Sequence, residues 1–133
     1  GIQAEHHLAG VGRGLAEEYG VRVSVLPMDL ADPSAPAELS RELAGRGIVP
    51  DVLVNNAGVL DDALIGMVTD EAIARTLAVN TIAPIQLTQG AARLMRRVGG
   101  GSIVNLTSII GVVGNRGQIV YSSSKAASTS RAA

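Results

Sequence analysis

The sequence predicts an α/β fold in which a parallel β-sheet is covered by helices on both faces. Short strand-like runs near residues 21–28, 51–55 and 102–107 alternate with segments of helical periodicity. Apolar runs of this length are typical of parallel strands that are buried on both faces. A regular alternation of strands and helices is typical of doubly wound sheets.

The chain opens on a weak helix, "AEHHLAGVGRGLAEEYG", that contains Gly10, Gly12 and Gly14. These glycines invite comparison with a phosphate-binding loop. Such a loop needs a strand before it and a helix after it whose N-terminus faces the phosphates. No strand pattern precedes the glycines, so a surface helix is favoured. The alternating, β-branched run "VRVSVLPMD" that follows predicts the first strand.

Capping residues and prolines indicate where the remaining helices begin and end. A helix is predicted to begin at Asp32, before Pro33, and to end at Gly45 or Gly47. A longer helical segment is predicted to begin at the cap Thr69.

Pro84 should kink or divide this longer segment near Asn80, because proline interrupts the helical hydrogen bonds. "QIVYSSSKAASTSRAA", from Gln118, begins the last helix. The element order is therefore strand, helix, strand, helix, strand, helix.

Composition excludes several kinds of partner. The chain has 11 basic and 12 acidic residues, a net charge of −1, and no cysteine. It has no cationic stripe for a phosphate backbone, so we expect no nucleic-acid partner. Its apolar runs are too short to span a membrane, and its start does not resemble a signal peptide. We therefore expect a cytoplasmic protein without a membrane segment or a metal site.

Four polar features lie where predicted strands or helices end. Asn55, Asn56, Ala57 and Gly58 close the second strand, and three further positions follow it along the chain: Asn80, Ser108, and the pair Tyr121 and Lys125. Ligands of open parallel sheets bind outside the carboxyl ends of the strands. These side chains are therefore candidates for a single pocket.

The residue types fit acid–base chemistry on a carbonyl group. Tyr121 and Lys125 are four residues apart and share a helix face, so the ammonium can stabilise the phenolate. That makes Tyr121 a usable general acid or base. Ser108 can donate a hydrogen bond to a carbonyl oxygen. Each feature alone could equally be a turn, a cap or a chance match; their shared order favours a site.

With these motifs the chain resembles the short-chain dehydrogenase/reductase family. The family signature is N-N-A-G, an Asn in a kinked helix, a Ser after the next strand, and Y-x-x-x-K. From Asn55 the successive intervals here are 25, 28 and 13 residues, close to the family spacing. "VNNAGVL" and "GSIVNLTSIIGVVGNRGQIVYSSSKAA" are most similar to its 3-oxoacyl-acyl-carrier-protein reductase branch. The resemblance implies a partial Rossmann-like domain of three layers.

The resemblance also implies a role for each catalytic position. Tyr121 would exchange a proton with the substrate oxygen, and Lys125 would assist Tyr121 and hold the nicotinamide ribose. Ser108 would orient the carbonyl, and Asn80 would hold a water of the proton relay. The implied reaction is hydride transfer between the cofactor and a carbonyl or secondary alcohol, with a 3-oxoacyl thioester as one candidate substrate.

The implied cofactor is NADP or NAD, with NADP favoured by the branch. The resemblance places Asp29 and Leu30 at the adenine ring and assigns Asn56, Ala57 and Gly58, with Tyr121 and Lys125, to the cofactor site. It further implies a small-molecule substrate and a homo-oligomer in the intact parent protein.

The family's glycine-rich loop and first two strands have no counterpart in the sequence. We therefore expect residues 1–133 to be a single partial NAD(P)-binding domain that binds cofactor weakly or not at all. The alternative is a non-catalytic remnant of the fold, or a module for subunit association.

Overall fold

The structure, a computed structural model, describes residues 2–128. It begins with α1 (Ile2–Tyr19), an unbroken helix that contains the three glycines of the N-terminal segment. Gly12 is buried, and a Cβ atom there would lie 2.8 Å from Cγ2 of Val25. The glycine thus allows α1 to lie against the segment that follows it. The helix reading of this segment is confirmed, and a phosphate loop is not formed.

Residues 21–28 form no β-strand, so this part of the prediction is wrong. The segment has the alternation of a strand, but a strand also needs a neighbour to accept and donate its backbone hydrogen bonds. Neither strand of the sheet pairs with it. Val21 and Val23 stay 52% and 39% exposed, as expected for a segment without a sheet to join.

Helix α2 (Ala35–Gly45) begins after a turn built on two aspartates. Asp29 accepts a hydrogen bond from the backbone N–H of Ala31, and Asp32 accepts one from Ser34. Hydrogen bonds from Ser34 hold the pKa of Asp32 below its ordinary value. The bond from the backbone N–H of Ser34 has the largest effect, and the bond from its side chain adds to it. The predicted helix is confirmed with its end at Gly45, but it begins at Ala35 and not at Asp32, because Asp32 belongs to the turn that precedes it.

The sheet consists of β1 (Val52–Asn55) and β2 (Ser102–Asn105), which are parallel and in register from Val52 opposite Ser102 to Asn55 opposite Asn105. Strand β2 ends two residues before its predicted end, since the carbonyl of Leu106 accepts a hydrogen bond from Lys125 and not from a neighbouring strand. One face of the sheet lies against helices, while Val54 and Val104 on the other face are about half exposed.

Between the strands lie α3 (Asp70–Leu77), a π-helical segment (Ala78–Ile82), α4 (Ala83–Met95) and a 3-10 turn (Arg96–Val98). Thr69 caps α3, accepting a hydrogen bond of 3.2 Å from the N–H of Ala72. The predicted break near Asn80 is confirmed as a π-helical segment. Pro84 has no N–H, and the Asn80 carbonyl instead accepts a 3.2 Å hydrogen bond from Ser128 Oγ.

The last two helices are α5 (Ile110–Val113) and α6 (Ile119–Ala127), which pack closely on each other. Helix α4 lies at the centre, in contact with α2 and β1. The buried core is small and aliphatic, and it is formed mainly by Val79, Ala83, Ala91, Leu94 and Met95. None of the helices in residues 2–128 is long and apolar enough to cross a membrane.

Candidate active site

Lys125 is the centre of the candidate site and is 94% buried, with 6% of its surface exposed. Its ammonium Nζ donates a 3.2 Å hydrogen bond to the carbonyl of Leu106, just beyond β2. It also lies 5.8 Å from the centre of the Tyr121 ring, within the range of a cation–π contact. Two of its three N–H donors have no hydrogen-bond partner among the described residues. The ammonium is thus held in place with donors to spare.

The backbone of Lys125 is held as firmly as its side chain. Thr107 Oγ1 donates a 2.8 Å hydrogen bond to the Lys125 carbonyl. On the other side, a Cβ atom at Gly111 would lie 2.8 Å from the carbonyl carbon of Lys125 and 2.7 Å from the nitrogen of Ala126. Helix α5 can approach α6 this closely only because residue 111 is glycine.

Asn80 joins three parts of the chain at this site. Its Oδ1 accepts a 2.8 Å hydrogen bond from the N–H of Val59, and its Nδ2 donates to the Val59 carbonyl at 2.9 Å. The same Nδ2 donates at 3.0 Å to Ser124 Oγ, which in turn donates to the Tyr121 carbonyl. The π-helical segment, the loop after β1 and the start of α6 are therefore fixed relative to one another.

Gly58 lies directly in front of Lys125. A Cβ atom there would be 3.4 Å from Lys125 Nζ and 3.5 Å from Asn80 Oδ1. Asn56 and Ala57, like Gly58, are exposed at the end of β1. Because residue 58 is glycine, no Cβ atom of its own stands between this turn and the spare donors of Lys125.

Asn55, the residue before this exposed turn, connects three secondary-structure elements. Asn55 Nδ2 donates to Asn105 Oδ1 at 2.8 Å and to Thr88 Oγ1 at 3.2 Å, which joins β1 to β2 and to α4. Its Oδ1 is buried and has no hydrogen-bond partner among residues 2–128. Asn55 and Lys125 both line a cavity of about 170 Å³.

Ser108 follows β2 and is partly buried. Its Oγ accepts a 3.3 Å hydrogen bond from the N–H of Ile110, and no hydrogen bond among the described residues uses its hydroxyl hydrogen. Tyr121 is also partly buried, and its hydroxyl bonds to none of the described residues. Both hydroxyl groups can therefore donate to a substrate oxygen.

Asp29 and Leu30 make no hydrogen bond or ion pair with this cluster among the described residues. Asp29 Oδ2 is 3.9 Å from Arg75 on α3, and none of its hydrogen bonds reaches the Lys125 region. The structure thus brings together Gly58, Asn80, Tyr121 and Lys125, with Ser108 on the neighbouring segment, and leaves the adenine-site prediction without a contact to that group. No group of three or more His, Cys, Asp or Glu in residues 2–128 is arranged to hold a metal ion.

Three supporting residues were not predicted. Ser124 and Thr107 bond to partners 44 and 18 residues away, and nothing in their local sequence indicates these partners. Gly111 could have been found, because an isolated glycine in the apolar run "IIGVV" often marks a close approach of another backbone.

A family model described as "short chain dehydrogenase" matches residues 3–132, almost the whole chain. The chain belongs to the short-chain dehydrogenase family. Its sequence is similar to nodulation protein G of Rhizobium sp. (strain N33), with 38% identity over 84% of this chain and 46% of the relative. It is also similar to a 3-oxoacyl-acyl-carrier-protein reductase of Aquifex aeolicus, with 33% identity over 87% and 47% of the two chains.

Solved structures support the same family and fold. L-sorbose reductase from Gluconobacter frateurii, solved with NADPH and L-sorbose, matches with a TM-score of 0.84 and 31% identity, over 90% of this chain and 46% of that one. This short-chain dehydrogenase chain thus has the α/β class that the sequence predicts, but within residues 2–128 helices cover only one face of the sheet, where both faces were expected to be covered. The chain spans about half the length of the relatives it matches.

Proposed function

We propose that this short-chain dehydrogenase chain supplies the acid–base half of an NAD(P)-dependent oxidoreductase that acts on a carbonyl or secondary alcohol. The observation that carries the proposal is the position of Lys125. Its buried ammonium lies beside the Tyr121 ring and has two spare donors next to Gly58, which carries no side chain. NADP or NAD, when bound, supplies or accepts the hydride.

In the reducing direction Tyr121 gives its phenolic proton to the carbonyl oxygen while Ser108 donates a hydrogen bond to the same oxygen. The ammonium of Lys125, 5.8 Å from the ring centre, places a positive charge beside the ring that gives up the proton. The spare donors of Lys125 hold hydroxyls of the nicotinamide ribose, and Asn56, Ala57 and Gly58 line the approach. Both amide hydrogens of Asn80 are used by protein oxygens. A relay water would therefore donate its hydrogen bond to a lone pair on an oxygen of Asn80.

Cofactor binding should be weak in this chain. Backbone N–H groups at a helix N-terminus are the usual donors to a cofactor pyrophosphate. The glycine-rich stretch at residues 10–14 is inside α1, where its N–H groups are used within the helix. Among the described residues it therefore offers no such donors.

The test is ketone-dependent oxidation of NADPH by the purified chain at high cofactor concentration, with a 3-oxoacyl thioester and a simple ketone as substrates. We expect slow turnover that falls by roughly a hundredfold or more in Tyr121→Phe, the usual size of a general-acid contribution. Ser123→Ala, an exposed change on the same helix, is the matched control. Equal rates for Tyr121→Phe and the control would rule out the proposed acid. Tight cofactor binding, seen by nicotinamide fluorescence, would instead contradict the expectation of weak affinity.

A second candidate is a role in subunit association. Exposed aliphatic side chains favour it, since Ile109, Val112 and Val113 on and before α5 are 69%, 74% and 68% exposed. Apolar groups grouped in this way often mark contact surfaces. A shift to the monomer in sedimentation velocity on Val112→Ser and Val113→Ser, without loss of helical signal, would support this role; an unchanged profile would argue against it.

A further inference from the structure

A groove between α2 and α4 carries three arginines and lies outside the candidate active site. Arg41 comes from α2, while Arg93 and Arg97 come from the end of α4 and the turn that follows it. The groove has a volume of about 410 Å³, within the roughly 300–1,000 Å³ typical of small-molecule sites. No residue proposed to hold NADP or NAD lines it.

The groove is positioned by close packing of two helices. Gln86, Gln89, Arg93 and Arg97 follow one another at intervals of three or four residues, so they lie along one side of the α4 region. Opposite them, Ser40 of α2 lies against Gly90, where a Cβ atom would collide with the Ser40 hydroxyl. The arginines therefore lie on α2 and on the α4 region, and the close contact between the two fixes the width of the groove.

The arginines of the groove are not paired with carboxylates. None of the lining residues is acidic, and none of the three arginines forms an ion pair within residues 2–128. Of the two acids of α2, Glu42 pairs with Arg46, and Glu38 accepts a hydrogen bond from Ser34 near the start of the helix.

A purely structural role accounts for only part of the cluster. Arg93 is in the last turn of α4, where a cation is favoured by the helix dipole. Arg41 is in the middle of α2, where the dipole offers no such gain. The three exposed guanidinium groups together give the groove a positive potential that would attract an anion.

We propose that the groove binds a small polyanion with two adjacent phosphate groups. Guanidinium groups pair in a two-pronged manner with phosphate oxygens, and three of them on two helices can engage both groups of a diphosphate at once. Gln86, Gln89 and the Ser40 hydroxyl provide further polar contacts along the groove. The proposal is independent of the proposed oxidoreductase function.

The test is isothermal titration calorimetry of the full chain with sodium pyrophosphate at low ionic strength, and with citrate as a carboxylate polyanion. We expect one saturable pyrophosphate site, with citrate bound at least tenfold more weakly. Arg93→Gln with Arg97→Gln should weaken pyrophosphate binding by about tenfold or more, since two charged hydrogen-bond donors are lost.

The matched control is Arg13→Gln with Arg22→Gln, which removes the same charge from exposed positions outside the groove. It should leave the affinity within about twofold. Arg41→Gln, a single change on the other helix, repeats the test if the double variant fails to fold. The proposal is overturned if pyrophosphate shows no saturable binding, if citrate binds equally well, or if the groove and control variants lose affinity alike.

Discussion

Asn80 is the residue on which the geometry of the candidate site most depends. It is 2% exposed, and its amide group holds both backbone polar groups of Val59 as well as the Ser124 hydroxyl. A buried polar group that loses its partner costs far more than the net gain of one hydrogen bond. Removing the Asn80 amide therefore affects the loop after β1 and α6 together.

We expect Asn80→Ala to lower the free energy of unfolding by about 2–4 kcal/mol, because several buried partners lose their hydrogen bonds at once. Asn115→Ala is the matched control, since Asn115 is exposed and donates only to the side chain of Gln118. It should change stability by less than about 0.5 kcal/mol. Urea unfolding followed by circular dichroism measures both, and similar losses in the two variants would contradict the central role of Asn80.

At the scale of elements, the contact between α5 and α6 depends on Gly111. We expect Gly111→Ala to lower the free energy of unfolding by about 1–3 kcal/mol, because the new Cβ would meet the backbone of Lys125 and Ala126. Gly14→Ala is the control, since no atom lies within 4 Å of a Cβ there and alanine favours a helix by up to about 1 kcal/mol. Opposite signs for the two changes are the expected result in urea unfolding. A stabilising Gly111→Ala would show that the helices do not approach so closely.

The start of α3 depends on the side chain of Thr69. Thr69→Ala removes the acceptor for the N–H of Ala72 and should cost about 1 kcal/mol of stability. Thr69→Ser keeps the acceptor and should be nearly neutral. Thermal unfolding of the pair separates the cap from other effects of the position; equal melting temperatures for the Ala and Ser variants would show that the cap contributes nothing.

Features that depend on neighbouring residues could be predicted from the sequence. Features that depend on residues far away in the chain could not. The Thr69 cap, the break before Pro84 and the end of α2 at Gly45 each follow from neighbouring residues, and the structure has all three. The segment 21–28 was wrongly predicted as a strand. Its alternation describes the two faces of a strand but does not identify the partner strand that it needs. Ser124 was missed for the same reason, since its partner Asn80 is 44 residues away.

At the scale of the whole molecule, residues 2–128 cover only one face of the sheet. Val52, Val54 and Val104 point away from α4 and are 56%, 53% and 46% exposed, whereas Leu53 and Ile103 on the other face are partly buried. A sheet of two strands with an open apolar face and open edges tends to find another surface. We therefore expect the purified chain to associate with itself in a concentration-dependent way.

If the open face of the sheet causes self-association, substitutions at two neighbouring residues of β1 should have opposite effects on self-association and on the free energy of unfolding. Val54→Thr changes the open face, so it should reduce self-association while altering the free energy of unfolding by less than about 0.5 kcal/mol. Leu53→Thr changes the face that packs on helices, so it should cost about 1–2 kcal/mol and leave self-association no weaker. Sedimentation velocity at several concentrations, with urea unfolding of the same samples, measures both effects. If Val54→Thr associates as strongly as the native chain, the open face of the sheet is not the surface through which the molecules meet.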